Sequence, residues 1–519
     1  MSADLAPPSL TVPRRPRTAA IANLGCRVNQ AEMEAAARLL RAAGIQIVGD
    51  EEPAELVLVN TCTVTSVADA KSRQAVRRAR RRSPEATLVV TGCAVAVDPE
   101  AFARVDPAAR LVGNEAKAAL LAELAALVGE AGLEASGSSR RPLPTISGVE
   151  PTASSGHDPT ASSGHDPTER TRAFVKVQDG CSFFCTYCII PRARGPERSL
   201  PPEAVLADVR RALAAGHREV VLTGVNIGTY DGGWSERGPR GSHRRAACTL
   251  AELVRRILAE TEVERIRLSS IEPQHVTDEL LEVWTGIGAG RCLPHFHLPL
   301  QSGDDGVLRR MGRRYDTRFY ADLVARIRRA IPGAAIHADV IVGFPTEDEE
   351  AFGRSVAFIR RLDPAGLHVF RYSVRPGTPA ARMVGQVDER AKRERAEVLL
   401  RLAAEARARF AARAVGSTAR VLFETREADG RWLGRSEANV LVGAASPDGR
   451  SLENAIASVV IEAVEAEAPD RVRGRIVELV PPAGPAGRRM PLPVVEPLPV
   501  VEPRPVDHVP AASFAGGCR

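Results

Sequence analysis

The chain has 519 residues, 44% of them from the apolar set AVILMFWYC and 26% charged. At roughly 100–200 residues per domain this is material for three or four domains, with enough apolar content for full cores, so wholesale disorder is excluded. The net charge of +6 is compatible with a nucleic-acid partner but does not require one. No apolar run approaches the roughly 18 residues of a membrane span. The opening MSADLAPPSLTVPRRPRT has no apolar stretch of the secretory kind. A cytoplasmic protein with no membrane partner is expected. Nine cysteines, an odd number, point to metal or redox chemistry rather than a disulfide framework.

Residues 1–16 read as a disordered tail. From 17 to 128 strand and helix alternate: a strand over 19–25, a helix over 30–43 with Met33, Ala36, Leu39 and Leu40 on one face, a strand over 55–60, a basic helix over 67–82 and a strand over 86–91. Such alternation predicts a parallel sheet in an α/β domain. Residues 129–169 are rich in Ser, Gly and Pro and repeat PTASSGHD at 151–158 and 159–166, which predicts a flexible linker; His157 and His165 within it read as inert.

From 170 to 410 six strand-like runs follow, at 173–178, 219–223, 265–270, 295–300, 337–342 and 367–372. Amphipathic helices at 202–215, 250–260, 317–331 and 387–412 separate them. Six βα units predict a partial barrel, short of the eight of a closed one, with 231–249 as a loop insertion. Over 411–480 the texture changes to short strands at 418–424, 431–434, 438–442 and 457–463, the pattern of a small β-barrel. Residues 481–519 are Pro-rich and read as a disordered tail.

Cys181, Cys185 and Cys188 form a C-x3-C-x2-C spacing just after the first barrel strand. Thiolates suit iron–sulfur clusters or zinc. Three in one loop can hold three irons of a 4Fe-4S cluster and leave the fourth open to a substrate or cofactor; a zinc loop with a remote fourth ligand is the alternative. Cys26, Cys62 and Cys93 end IANLGC, LVLVNTC and LVVTGC, each at the carboxyl end of a strand of the first sheet, which is the functional edge of such sheets. They read as a second tripod, against the alternative of three buried structural thiols. Cys248, Cys292 and Cys518 have no such context and read as non-functional.

CxxxCxxC after the first strand of a six-unit barrel resembles the radical S-adenosylmethionine (SAM) superfamily. QDGCSFFCTYCIIPRARGPERS is similar to its methylthiotransferase branch, and LGCRVNQ, NTCTVTSVADAKSR and TGC extend the likeness over about 17–480. The resemblance implies two 4Fe-4S clusters, one on Cys181, Cys185 and Cys188 that reduces SAM to a radical and an auxiliary one on Cys26, Cys62 and Cys93 that delivers sulfur. It implies SAM contacts from Gly224, Asn226, Ser269, Ser270, Glu272, His297, Gln301, Asp339 and Gly343, with His295 and His297 sharing a strand face as packing or hydrogen-bonding groups. No residue beyond the two clusters is assigned a catalytic role.

The small barrel resembles the RNA-gripping TRAM domain, although its 9 Arg against 11 acidic residues over 411–480 make no cation patch. The implied partners are tRNA and an electron donor of unknown identity. RNA candidates are Lys71, Arg73, Arg77, Arg78, Arg80, Arg81, Arg82, Arg192, Arg194, Arg198, Arg313 and Arg314, and Phe183 or Tyr187 could stack on the base. Where the family usually reads FPGE this chain has Phe344-Pro345-Thr346-Glu347, and Thr346 enters positive φ less readily than Gly.

LGCRVNQAE is most similar to the branch acting on N6-threonylcarbamoyladenosine at position 37 of tRNA, whose members usually read LGCKVNQ; Arg27 keeps the charge. A pocket Arg would suit that substrate's carboxylate. The alternatives are N6-isopentenyladenosine in tRNA, an aspartate of a ribosomal protein and, in another class, a non-catalytic Fe–S RNA-binding protein or a radical enzyme on a small molecule. A binder needs no open iron, and a small-molecule enzyme needs no C-terminal barrel.

Overall fold

A computed structural model describes residues 16–131, 171–233 and 248–482. The octapeptide repeat with His157 and His165, most of the 231–249 insertion, nearly all of both tails and Cys518 lie outside the described residues.

The first unit runs β1 (Thr18–Asn23), α1 (Arg27–Ala42), β2 (Gln46–Val48), β3 (Leu56–Thr61), α2 (Ser66–Arg82), β4 (Thr87–Gly92), α3 (Cys93–Val97), α4 (Pro99–Ala103), β5 (Arg110–Val112) and α5 (Lys117–Ala131). Its sheet has the order β2-β1-β3-β4-β5 and is parallel throughout. All six residues of β3 are buried, as expected of a central parallel strand covered on both faces. Thr65 caps α2 by accepting from the Ala68 amide. The edge strands β2 and β5 have three residues each, too short for a sequence pattern. Helix α5 continues to Ala131, so the ordered chain outlasts the expected boundary at 128.

The second unit opens with β6 (Arg172–Lys176). A two-residue hairpin, β7 (Gln178–Asp179) and β8 (Arg198–Ser199), brackets the C-x3-C-x2-C loop and α6 (Ile190–Arg194). Then come α7 (Pro202–Ala214), β9 (Glu219–Thr223), α8 (Leu250–Glu260), β10 (Arg265–Leu268), α9 (Asp278–Thr285), β11 (His295–His297), α10 (Asp305–Met311), α11 (Thr317–Ala330), β12 (Ala335–Val342), α12 (Glu349–Leu362), β13 (Gly366–Arg371) and α13 (Glu389–Arg413). The six main strands pair in parallel as β10-β9-β6 and β11-β12-β13, and isolated bridges Ile266–Cys292 and Ser270–His297 join the halves. The result is a six-stranded partial barrel with a seam between β6 and β13. Helix α1 packs along β6 at that seam.

The last unit is a closed barrel, β14 (Thr418–Arg426), β15 (Trp432–Arg435), β16 (Leu441–Ala444), β17 (Ile456–Val464) and β18 (Arg471–Val480). The sequence suggests only the first four. In RVRGRIVELV only Val472 is fully buried and charges fill the outer face, so the apolar signal of β18 is faint. Arg265 ties this barrel to the larger one, donating to the carbonyls of Arg420 at 2.9 Å and Arg435 at 3.1 Å.

Candidate active site

The three strand-end cysteines converge because their loops are tied together. Asn29 donates to the carbonyls of Leu24 at 3.0 Å and Thr61 at 3.1 Å, joining the loop of Cys26 to that of Cys62. Gly25 has φ +131°, and a Cβ there would lie 3.2 Å from Cys62 Cβ; Gly92 has φ +106°, and a Cβ there would meet the Thr61 carbonyl at 2.4 Å. Only glycine allows both approaches, which explains LGC and TGC. Cys26 and Cys93 each raise the thiol of Cys62, as charges sharing one site do, and burial pushes Cys62 up to about 12. Cys26 is the accessible member, although the surrounding protein still desolvates it.

The loop between β7 and α6 gathers the second set. Cys185 and Cys181 both raise the thiol of Cys188, which burial pushes up to about 12. Arg313 Nη1 donates to Cys185 Sγ at 3.3 Å and to the Tyr187 hydroxyl at 3.4 Å, while its Nη2 pairs with Glu272. The first set has its own guanidinium: Arg194 Nε donates to Cys93 Sγ at 3.3 Å. Arg194 also bonds Asp179 at 2.8 Å and Glu32 at 3.1 Å, and Glu32 holds Lys117 and Lys176 as well. These cations hold the Glu32 carboxyl well below the usual range.

Both tripods fit an iron–sulfur cluster better than a single ion. With Zn–S near 2.3 Å, three thiolates on one zinc would sit roughly 3.8 Å apart. Among the described residues only His297, Asp339 and His368 bring three ligand-type atoms within 4.8 Å of one another; neither cysteine set does. A guanidinium donating to a sulfur in each set suits thiolates whose negative charge a metal core partly offsets.

Arg194 and Arg313, RNA candidates on sequence grounds, are thus buried around the cysteines and unavailable to a phosphate; the side chain of Arg313 is 3% exposed. Arg80 and Arg82 are also engaged internally, on Asp106 at 2.7 Å and Glu51 at 2.5 Å. Arg77, Arg81, Arg192, Arg198 and Arg314 remain exposed. Of the two aromatic candidates, Tyr187 packs edge-on against Phe344 and Phe183 stacks on His275 beneath the Arg314 guanidinium. Phe184, which sequence reasoning passed over, is 70% exposed beside the cluster loop.

The residues assigned to SAM gather at the carboxyl ends of the barrel strands. Both side-chain atoms of Asn226, Ser269 Oγ and Thr223 Oγ1 are buried with no protein partner, which fits a polar cofactor seated among them. A Cβ at Gly224 would meet Ile227 at 2.8 Å, so the chain passes closely there. Glu272 is raised by burial despite Arg313. Ser270 forms the bridge to His297, and Gln301, at φ 67°, bridges to Val340. Gly343, at φ 71°, donates to Glu347. His297 is not without partners: its Nε2 lies 2.7 Å from Asp339 Oδ1, and His368, which no sequence motif marked, reaches the same oxygen at 3.0 Å. Thr346 does enter positive φ, at 71°, so the turn keeps its form at a local cost in strain. Cys248 and Cys292 lie buried in the barrel core.

Residues 18–113 match the model of Uncharacterized protein family UPF0004, and residues 175–359 that of the Radical SAM superfamily. The chain is 38% identical to the Threonylcarbamoyladenosine tRNA methylthiotransferase MtaB of Bacillus subtilis, over 74% of this chain and 80% of that protein. It is 35% identical to the protein of the same name from Aquifex aeolicus, over 78% of this chain and 92% of the other. With the tRNA-2-methylthio-N(6)-dimethylallyladenosine synthase of Acidothermus cellulolyticus it shares 34% over 74% of this chain and 73% of the other. The chain belongs to the radical SAM methylthiotransferase family. Its cofactors are two 4Fe-4S clusters and SAM.

Proposed function

We propose that this chain is the tRNA methylthiotransferase that adds a methylthio group to C2 of N6-threonylcarbamoyladenosine at position 37. One observation carries the reading. Helix α6 begins two residues after Cys188 and packs on α3, which begins at Cys93. Asn114 fastens that contact, donating to the Ala193 carbonyl at 2.7 Å and to Cys93 Sγ at 3.5 Å. The two cysteine groups are therefore held on neighbouring, packed elements, which suits a reaction needing a radical and a sulfur at the same carbon. The relatives named for threonylcarbamoyladenosine and the LGCRVNQ motif support the substrate.

C2 of adenine carries an unactivated C–H bond, and the bound clusters and SAM supply radical chemistry and sulfur for it. The protein's part is positional. Arg194 and Arg313 orient the sulfur ligands, Tyr187 and Phe344 pack over the cluster loop, and the orphaned groups of Asn226 and Ser269 hold the cofactor. tRNA is the macromolecular partner, a separate protein or small reductant supplies electrons, and the cytoplasm is the site of action. The division into 17–128, 170–410 and 411–480, and the nine residues assigned to SAM, belong to the same proposal. Nucleoside mass spectrometry on tRNA from a deletion strain tests it: methylthiolated threonylcarbamoyladenosine should vanish while its unthiolated precursor accumulates. Normal levels of the thiolated nucleoside would refute the assignment.

A further inference from the structure

The barrel lumen beside the two tripods holds more guanidinium donors than the protein satisfies. Arg27 is the first residue of α1, directly after Cys26. Its charge is felt together with those of Arg172 on β6, Arg267 on β10, Asp339 on β12 and Arg435 of the small barrel. Helix α1, which Arg27 begins, packs along β6 at the seam between β6 and β13, and Arg27 is partly buried there. No described residue accepts a hydrogen bond from it.

Arg267 is 2% exposed; its Nε donates to Glu219 at 2.8 Å, but Nη1 and Nη2 are buried with no acceptor. His295 and His337 lie beside it with ring centroids 4.8 Å apart, and the Nδ1 of each is also without a partner. The nearby carboxylates are already committed, Glu219 to Arg265 and Arg267, and Asp339 to His297 and His368. Buried donors left in this state are costly unless an acceptor joins them. A planar carboxylate is the group that a guanidinium fork takes bidentately.

We propose that Arg27 and Arg267 form a carboxylate-binding pocket that takes the threonyl carboxylate of the substrate base and so selects this substrate over the isopentenyl one, a hydrocarbon at the same place. The inference rests on the function proposed above. The carboxylate of SAM is the other possible source of the same chemistry, and the experiment separates the two.

Reconstituted enzyme carrying both clusters is given tRNA with threonylcarbamoyladenosine and the same tRNA with the threonyl carboxylate converted to its primary amide. Wild type should prefer the acid by about 10- to 100-fold in kcat/KM, the range of a buried charge-assisted pair. Arg27→Gln should bring the acid down to the level of the amide and leave the KM for SAM unmoved, whereas Arg27→Lys should keep most of the preference. Equal use of both tRNAs by wild type, an unchanged preference in Arg27→Gln, or a KM for SAM raised equally with both tRNAs would each overturn the pocket. If Arg27→Gln fails to hold iron, the wild-type comparison and Arg27→Lys decide. Wild type that thiolates isopentenyl tRNA and neither of these two would overturn the function itself, a result distinct from any of the others.

Discussion

Glu219→Gln probes the junction on which the barrel and its C-terminal partner rest. Glu219 is fully buried and pairs at 2.8 Å with both Arg265 and Arg267, whose side chains are 1% and 2% exposed. The two guanidiniums hold its carboxyl well below the ordinary carboxylate range against the opposing effect of burial. Replacing it with an amide leaves two buried cations without a countercharge. Breaking a buried pair in this way costs about 3–5 kcal/mol. At 2–4 °C per kcal/mol for a unit of this size, Tm should fall by roughly 6–20 °C. Because the folded pKa is depressed, the stabilisation is complete above the unfolded carboxylate pKa of about 4.3 and is lost as pH falls through the lower folded value. Differential scanning calorimetry of wild type and variant from pH 7 downward should therefore show the two curves converging on acidification. Glu260→Gln, which removes an exposed partner of Arg256, is the control and should leave Tm unmoved. A Tm loss below 2 °C for Glu219→Gln at pH 7, or a gap that widens in acid, would mean that Glu219 does not neutralise the two buried guanidiniums.

The two tripods should load independently. Cys181→Ala should abolish SAM cleavage while retaining iron on Cys26, Cys62 and Cys93, and Cys62→Ala should keep SAM cleavage without thiolated product, as read by iron and sulfide analysis and product chromatography. Thr346→Gly should raise stability by about 0.5–1 kcal/mol, since the left-handed strain of a β-branched residue exceeds the entropy that Gly adds to the unfolded chain; thermal melts check this. Arg77→Ala with Arg81→Ala on the exposed face of α2 should lower the salt slope of tRNA binding by about 0.7–0.9 for each phosphate no longer neutralised, and an unchanged slope in filter binding would place that face in solvent alone.

The two cysteine groups stood out because candidate metal ligands keep fixed residue types at fixed spacings, and the glycines before Cys26 and Cys93 carried the backbone reason for their approach in the sequence itself. The six barrel strands were legible from their apolar runs, and their bounds in the structure differ by a few residues at the ends. What escaped was set by tertiary packing. Strand β18 buries too little to stand out. Arg194 and Arg313 look like any exposed Arg in a basic chain until the fold places them against sulfur. Glu32 and Asn29 sit on the buried side of α1, and the only trace of them was polar residues among apolar ones in LGCRVNQAE. His368 acquires its partner from a strand 29 residues away.

One competition experiment separates the substrates and the roles of the two cysteine groups. Purified enzyme with both clusters reconstituted is given SAM, a reductant and an equimolar mixture of tRNA bearing threonylcarbamoyladenosine and tRNA bearing isopentenyladenosine, and the nucleosides are resolved by mass spectrometry. 2-Methylthio product should form on the threonylcarbamoyl nucleoside, with none from the triple variant of Cys26, Cys62 and Cys93. Preferential thiolation of the isopentenyl tRNA would contradict the substrate assignment, and undiminished thiolation by the triple variant would contradict the two-tripod mechanism.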